Sequence, residues 1–259
     1  MGNNTSFWSK AWPPLVTLAG VIACWQAAVT WGGIDQWMLP SPLSIVQEAI
    51  RIWPRLLMHM RATVQLTLFG FVGGSAVGFV LAALLHLIPG MRRAFYPLIV
   101  LSQSIPIIAI APILTMFFGY GLLPKVMLVV MVCFFPVAIA MLSGLSNPDA
   151  QLRNYLQMIG IGKWQMFWRL ELPHAIVHLF SGLKIAASYS VLSAIVAEWI
   201  GSNRGLGYFM ILSFKGFMPD RVFAAVIIIV LFSLLLFAIV ALAERLIIRW
   251  QPASDQHTK

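Results

Sequence analysis

Residues 154–173 read Asn154-Tyr155-Leu156-Gln157-Met158-Ile159-Gly160-Ile161-Gly162-Lys163-Trp164-Gln165-Met166-Phe167-Trp168-Arg169-Leu170-Glu171-Leu172-Pro173. The stretch is too polar to cross a bilayer and too apolar to be a solvated linker. Gly160 ends one short helix, since glycine is the residue that tolerates the left-handed turn after a helix. Gly162 begins a turn. Trp164, Phe167 and Trp168 open a second amphipathic stretch that Pro173 is expected to close. An exposed apolar patch of this size marks a surface that meets a partner. It lies inside the longest polar interval between apolar segments, residues 146–176, which opens with Asn147-Pro148-Asp149.

The rest of the chain explains what kind of protein carries such a loop. Of 259 residues, 60% are hydrophobic and 10% charged, and the mean hydropathy is +0.88. A soluble domain carries roughly 25% charged residues. A soluble enzyme and a disordered chain are both excluded, leaving a multi-span membrane protein embedded in a lipid bilayer. The net charge of +9 comes from Lys and Arg spread between apolar segments, the pattern of a protein facing anionic headgroups, so no nucleic-acid partner is expected. Cys24 and Cys133 sit in apolar runs and read as small buried hydrophobes.

A helical span needs about 20 apolar residues to cross about 30 Å of hydrocarbon. Six such segments are expected, at 13–31, 62–88, 96–118, 123–145, 176–200 and 222–243. The first, bracketed by Trp12 and Trp31, has only Lys10 before it and no small-residue cleavage signal, so it reads as a retained span. Between the first two, Ser41 caps an amphipathic surface helix with Pro42 at its first position. Pro54 is expected to break it. The second span carries Gly70, Gly74 and Gly78 on one face, read chiefly as helix packing and secondarily as a dimer seam. The third contains Pro106 and Pro112 and is expected to be kinked or broken. Irregular backbone at membrane depth is tolerated only against protein or a wet cavity. Gln103, Ser104, Pro106 and Pro112 are therefore expected on a translocation path. Glu198, the one acid near a span's interior, joins them, with a structural pairing, for instance to Arg204, as its alternative. The expected parts are residues 1–61 (first span and surface helix), 62–250 (a core of five spans with the 146–176 loop) and a tail, 251–259.

Residues 154–173 resemble the coupling signature of bacterial ATP-binding-cassette importer permeases: Glu-Ala-Ala, three residues, Gly, nine residues, then Ile-x-Leu-Pro. Gly160 takes the glycine position, and Leu170-Glu171-Leu172-Pro173 take the closing motif. Asn154-Tyr155-Leu156 stand where Glu-Ala-Ala is usual. Leu39-Pro40-Ser41-Pro42, Phe118-Gly119-Tyr120-Gly121, Gly182-Leu183-Lys184, Ala197-Glu198-Trp199 and Gly205-Leu206-Gly207 extend the resemblance to the nitrate/sulfonate/taurine permease family over nearly the whole chain. Ser102-Gln103-Ser104-Ile105-Pro106-Ile107 and Asp220-Arg221-Val222-Phe223-Ala224-Ala225 look most like the branch assigned to pyrimidine precursors of thiamine.

The resemblance implies an all-α membrane protein of six transmembrane helices with the type I importer permease fold and a cytoplasmic coupling helix. It also implies a multi-pass protein of the bacterial inner membrane with both termini cytoplasmic. A homodimer of the chain, two cytoplasmic ATPase subunits and an extracytoplasmic solute-binding protein are the implied partners. Residues 153–166 would sit as a rigid helix in grooves on the ATPases. Asn154, Tyr155, Leu156, Gly160, Gly162, Lys163, Trp164, Leu170, Leu172 and Pro173 are the implied coupling residues.

The chain holds no Gly-x-x-x-x-Gly-Lys-Ser/Thr loop, so ATP and its magnesium are expected on the partner ATPase, with no catalytic residue and no cofactor here. His174 and His178 have metal-ligand spacing but no third ligand, and read as helix-start histidines. Lys184 is expected to snorkel to the cytoplasmic interface. A self-sufficient secondary transporter would place acids near the midplane, whereas Asp35, Glu48, Asp149, Glu171, Asp220, Glu244 and Asp255 fall in loops or at span ends. The scarcity of basic residues within spans favours a neutral heterocycle as cargo over an alkanesulfonate, taurine or nitrate.

Overall fold

The structure is a computed structural model and describes residues 7–248. Their regular elements are all helices, with no strand among the described residues. The helices are α1 Phe7–Trp31, α2 Pro42–Arg51, α3 Trp53–Leu87, α4 Met91–Ser102, α5 Ile107–Phe118, α6 Leu122–Ser146, α7 Ala150–Met158, α8 Lys163–Met166, α9 Leu172–Trp199, α10 Leu206–Lys215 and α11 Pro219–Ile247. Five helical runs are long and apolar enough to cross a membrane: Trp12–Trp31, Trp53–Leu87, Leu122–Ser146, Lys163–Trp199 and Pro219–Ile247. Arg249, Trp250 and the expected 251–259 tail lie outside the described residues.

The third expected span is not one helix. It is divided into α4 and α5, with Gln103 closing the first and Pro106 preceding the second in extended conformation. Pro106 has no N–H to continue the helical ladder and disfavours helical geometry at Ile105 before it. At 12 residues, α5 rises about 18 Å, short of the hydrocarbon thickness. Pro112 stays inside α5, where the Thr115 hydroxyl donates to the Pro112 carbonyl at 2.8 Å.

A second difference lies at Pro173, which does not close a helix. A π-helical turn, Phe167–Glu171, joins α8 to α9, so one continuous helical run extends from Lys163 to Trp199. The Leu172 N–H donates five residues back to the Phe167 carbonyl. Directly after this wider turn Pro173 occupies the start of α9, where a missing N–H costs little. Likewise Pro54 begins α3 as well as ending the surface helix, and α3 runs 35 residues, about 52 Å. The interval expected as loop after the fifth span contains α10.

The chain divides into two compact units, residues 1–59 with 209–228, and 60–208 with 229–259. Polar pairs hold residues 209–228 to the N-terminal segment within the first unit. The Ser44 hydroxyl donates to Asp220 Oδ1 at 2.7 Å and Arg221 Nε donates to Glu48 Oε1 at 2.8 Å. The Trp25 and Phe223 rings lie 5.8 Å apart. Within this unit Ser41 caps α2 as expected, its hydroxyl accepting from the Ser44 N–H at 3.1 Å.

In the second unit α6 and α9 form the most extensive packing. Small residues permit it. A Cβ on Gly182 would stand 2.7 Å from the Pro136 carbonyl, and one on Gly144 would stand 2.7 Å from Ala175 Cα. The glycine row of α3 faces the same helix. A Cβ on Gly74 would stand 2.6 Å from Cys133 Cβ, and one on Gly78 would stand 2.6 Å from the Phe134 carbonyl. The row is thus intrachain packing between α3 and α6, and these three positions are not open for a dimer seam. Leu66, Leu128, Val129, Cys133, Val137, Ala186 and Ala194 form the buried centre.

Candidate functional site

A cavity of about 820 Å³ lies among the α4–α5 break, α6 and α9. Its size is that of a small-molecule site, for which roughly 300–1,000 Å³ is typical. Its walls are mostly apolar, including Ile110, Met131, Phe135 and Leu192. The polar groups are Gln103, Ser143, His178, Ser181 and Tyr189, and no Lys, Arg, Asp or Glu lines it. Pro136 also lines it, and its missing N–H leaves the Val132 carbonyl at the wall without its helical partner. Such a surface offers hydrogen bonds and stacking to an uncharged planar solute and no full charge to an ion.

Of the residues expected on a path, Gln103 lines this cavity, and Pro106 shapes it by breaking the helix beside it. Ser104, in the same turn, and Pro112, within α5, are not on its wall. Sequence reasoning missed Ser143, Ser181 and Tyr189 and read His178 only as a helix-start residue. A signal was present: 178, 181, 185, 189 and 192 fall at helical spacing along one face of α9. The His174 and His178 rings lie 5.3 Å apart, and no group of three or more metal-ligating side chains occurs among the described residues.

Glu198 lies elsewhere. It is 2% exposed and lines a separate recess of about 460 Å³ with Tyr120, Lys125 and Arg204. The Thr63 hydroxyl donates to Glu198 Oε1 at 2.7 Å, and the Gly207 N–H donates to Oε2 at 2.8 Å. The Leu206 N–H in turn donates to the Thr63 hydroxyl at 2.8 Å. The carboxyl group therefore satisfies the first N–H groups of α10, directly and through Thr63, and bolts them to α3. Gly205, at φ +112°, leaves room for it, because a Cβ there would overlap the carboxyl group. Lys125 Nζ donates to the Ser202 hydroxyl at 2.9 Å. The Lys184 ammonium donates to both oxygens of Glu244, near the C-terminal end of α11, at 3.1 and 2.8 Å.

Within the 146–176 interval, residues 149–165 form an exposed handle, whereas Met166, Phe167, Glu171 and Ala175 are buried. Asp149 caps α7, its side chain accepting from the Gln151 and Leu152 N–H groups. The helix stops at Met158. Gly160, at φ +83°, closes it with the paired bonds of a Schellman motif, Ile161 N–H to the Leu156 carbonyl and Gly160 N–H to the Gln157 carbonyl. The span 153–166 is therefore not one rigid helix. Its rigid part is α7, carrying Asn154, Tyr155 and Leu156, and a reversal at Gly160 leads to Gly162, which precedes a new helix at Lys163.

No side chain of α7 is buried. Met158 is 79% exposed and Trp164 61%, with Leu152, Tyr155, Ile159 and Trp168 also exposed. Underneath, Glu171 is buried, its Oε2 2.8 Å from His86 Nε2 and its Oε1 3.7 Å from Arg153 of α7. Leu172 packs into the cluster around Met141 and Phe167, beside which Leu170 and Pro173 continue the helical run.

The chain is similar to known proteins in sequence and fold. The family described as binding-protein-dependent transport system inner membrane component matches residues 74–249. The formylaminopyrimidine transport permease protein ThiX of Halalkalibacterium halodurans is 33% identical, over 93% of this chain and 97% of its own length. The taurine transport system permease protein TauC of Escherichia coli is 27% identical, over 85% of this chain and 82% of its own. Among solved structures, an amino acid ABC transporter crystallised with histidines superposes with a TM-score of 0.65 at 17% identity, covering 77% of this chain and 97% of that one. The fold is thus that of importer permeases. The chain belongs to the family of binding-protein-dependent transport system inner membrane components.

Proposed function

We propose that this chain is the permease subunit of an ATP-binding-cassette importer that carries a small neutral heterocycle, a pyrimidine precursor of thiamine, across the inner membrane. The observation that carries the cargo assignment is the 820 Å³ cavity, which presents amide, hydroxyl and imidazole groups and no Lys, Arg, Asp or Glu. The pairing of Lys184 with Glu244 neutralises the cation that sequence placed deepest within a span. The similarity to a formylaminopyrimidine permease points the same way.

The handle is the second half of the reading. Exposed apolar side chains on a capped short helix present a rigid surface for a partner. Two ATPase subunits, binding ATP and magnesium, would grip α7 in the two copies of the chain. Their closure would move α7 as a body and reach the spans through Arg153, Glu171 and His86. The chain itself would hydrolyse nothing. An extracytoplasmic binding protein delivers the solute, and both termini face the cytoplasm.

Likeness to a taurine permease favours a second reading in which the same machinery imports an alkanesulfonate. Proteoliposomes holding the permease, its ATPase and its binding protein separate the two. Uptake of an aminopyrimidine, with none of taurine, is expected. Taurine uptake without aminopyrimidine uptake overturns the cargo, and uptake without any ATPase overturns the machinery.

A further inference from the structure

A recess of about 270 Å³ opens at the same end of the chain as α7, apart from the cavity and the handle's exposed face. Its polar wall is His86, Arg92, Arg93, Ser146 and Arg153. Arg92 donates only to a neutral group, the Ser146 hydroxyl at 2.6 Å. Arg93 has no hydrogen bond or ion pair within the described residues. Arg153 is shared with Glu171 at 3.7 Å. Three guanidinium charges less one carboxylate leave two positive charges in excess. Gly90 starts α4 at φ +83° without a side-chain cap, so the recess also adjoins the positive end of a 12-residue helix dipole.

The other wall is apolar: Leu85, Ile88 and Pro89. Ile88 is 44% exposed and directly follows α3, a helix long and apolar enough to span a bilayer. At 35 residues α3 is longer than the hydrocarbon is thick, but its charged residues, Arg55 and Arg61, lie near its N-terminal end, and residues 62–87 hold no Lys, Arg, Asp or Glu. The apolar segment therefore runs to the C-terminal end of α3, which places the recess near the membrane–water boundary, the depth of lipid phosphates. Surplus arginine charge, a helix N-terminus and an adjoining apolar wall together match a phosphodiester attached to acyl chains.

We propose that this recess binds the phosphate of an anionic phospholipid headgroup, held by Arg92 and Arg93. The lipid would neutralise the charge beside Arg153 and brace α7 against α3 and α4. The inference needs only that α3 crosses the bilayer. It stands whether or not an ATPase grips α7.

The test uses the full chain, purified, delipidated and titrated in micelles with phosphatidylglycerol or phosphatidylcholine, with bound lipid counted by native mass spectrometry. Each arginine near an anionic surface contributes about fivefold to binding. Arg93→Gln, which has no protein partner to lose, is expected to weaken phosphatidylglycerol retention about fivefold, and Arg92→Gln/Arg93→Gln about twenty-five-fold. Arg51→Gln/Arg55→Gln removes equal charge elsewhere and is expected to change nothing. An equal loss in that control, no loss in the recess variants, or no preference over phosphatidylcholine overturns the proposal. Binding of inorganic phosphate at millimolar concentration without enrichment of phosphatidylglycerol would assign the recess to a free anion and overturn it too. So would loss of ATPase association in the recess variants with lipid retention intact.

Discussion

Replacing Glu198 separates two roles that a buried acid in a transporter can have. In the structure the carboxyl group accepts from the Thr63 hydroxyl and the Gly207 N–H, and Thr63 relays to the Leu206 N–H. Glu198→Ala removes both acceptors at a site 2% exposed. Each buried donor left without a partner costs roughly 1–3 kcal/mol, so the variant is expected to lose about 3–5 kcal/mol. Glu198→Gln keeps one acceptor oxygen and is expected to lose about half of that. Thr63→Val breaks the same chain of bonds, so the double variant Glu198→Ala/Thr63→Val should fall short of additivity by about 1–3 kcal/mol. Reversible denaturant unfolding in mixed micelles measures all four variants, with solute uptake in proteoliposomes alongside. If Glu198→Ala unfolds within 0.5 kcal/mol of the parent, about the scatter expected for a neutral substitution, yet uptake is abolished, the cap is refuted and Glu198 belongs on the solute path.

Three further substitutions probe the handle and the packing. Gly160→Trp meets open space but forces a side chain into left-handed geometry at φ +83°, at a cost of roughly 1–2 kcal/mol. The chain is expected to fold while uptake falls well below the parent at equal ATPase activity, and unchanged uptake would show that Gly160 is not part of the coupling turn. Gly74→Leu drives a side chain into Cys133 and the Val130 carbonyl and is expected to cost about 1–3 kcal/mol by overpacking, with the copy number in light scattering unchanged. Lys184→Met leaves Glu244 unpaired at a partly buried site and should destabilise by about 1–3 kcal/mol, while Lys184→Met/Glu244→Gln recovers most of it in the same unfolding assay.

The handle was legible because its determinants are local. Asp149 caps within three residues, and Gly160 reverses the chain with bonds reaching no further than Leu156. The cavity beside the α4–α5 break was legible only at Gln103, where the proline break is also local. Ser181 and Tyr189 have nothing in their neighbours to mark them, and they become part of a site only because α9 turns that face toward α6 and the break. Glu198 stood out as a buried acid, but its partners lie 135 residues back in sequence at Thr63 and nine ahead at Gly207, and the sequence does not contain that distance.

By itself the sequence determined the solvent. With 10% charged residues the chain must live in lipid, where every backbone polar group has to be satisfied within a helix. The Ser41 cap, the division near Pro106 and the turn at Gly160 follow from short-range hydrogen bonding in the same way. Only the tertiary structure decided which faces meet. It turned the Gly70–Gly74–Gly78 row onto α6, paired Lys184 with Glu244, and carried α9 through Pro173 by way of a π turn. The reason is one of range: caps and breaks are settled by a few neighbouring bonds, whereas close packing depends on shapes contributed by residues far apart in the chain.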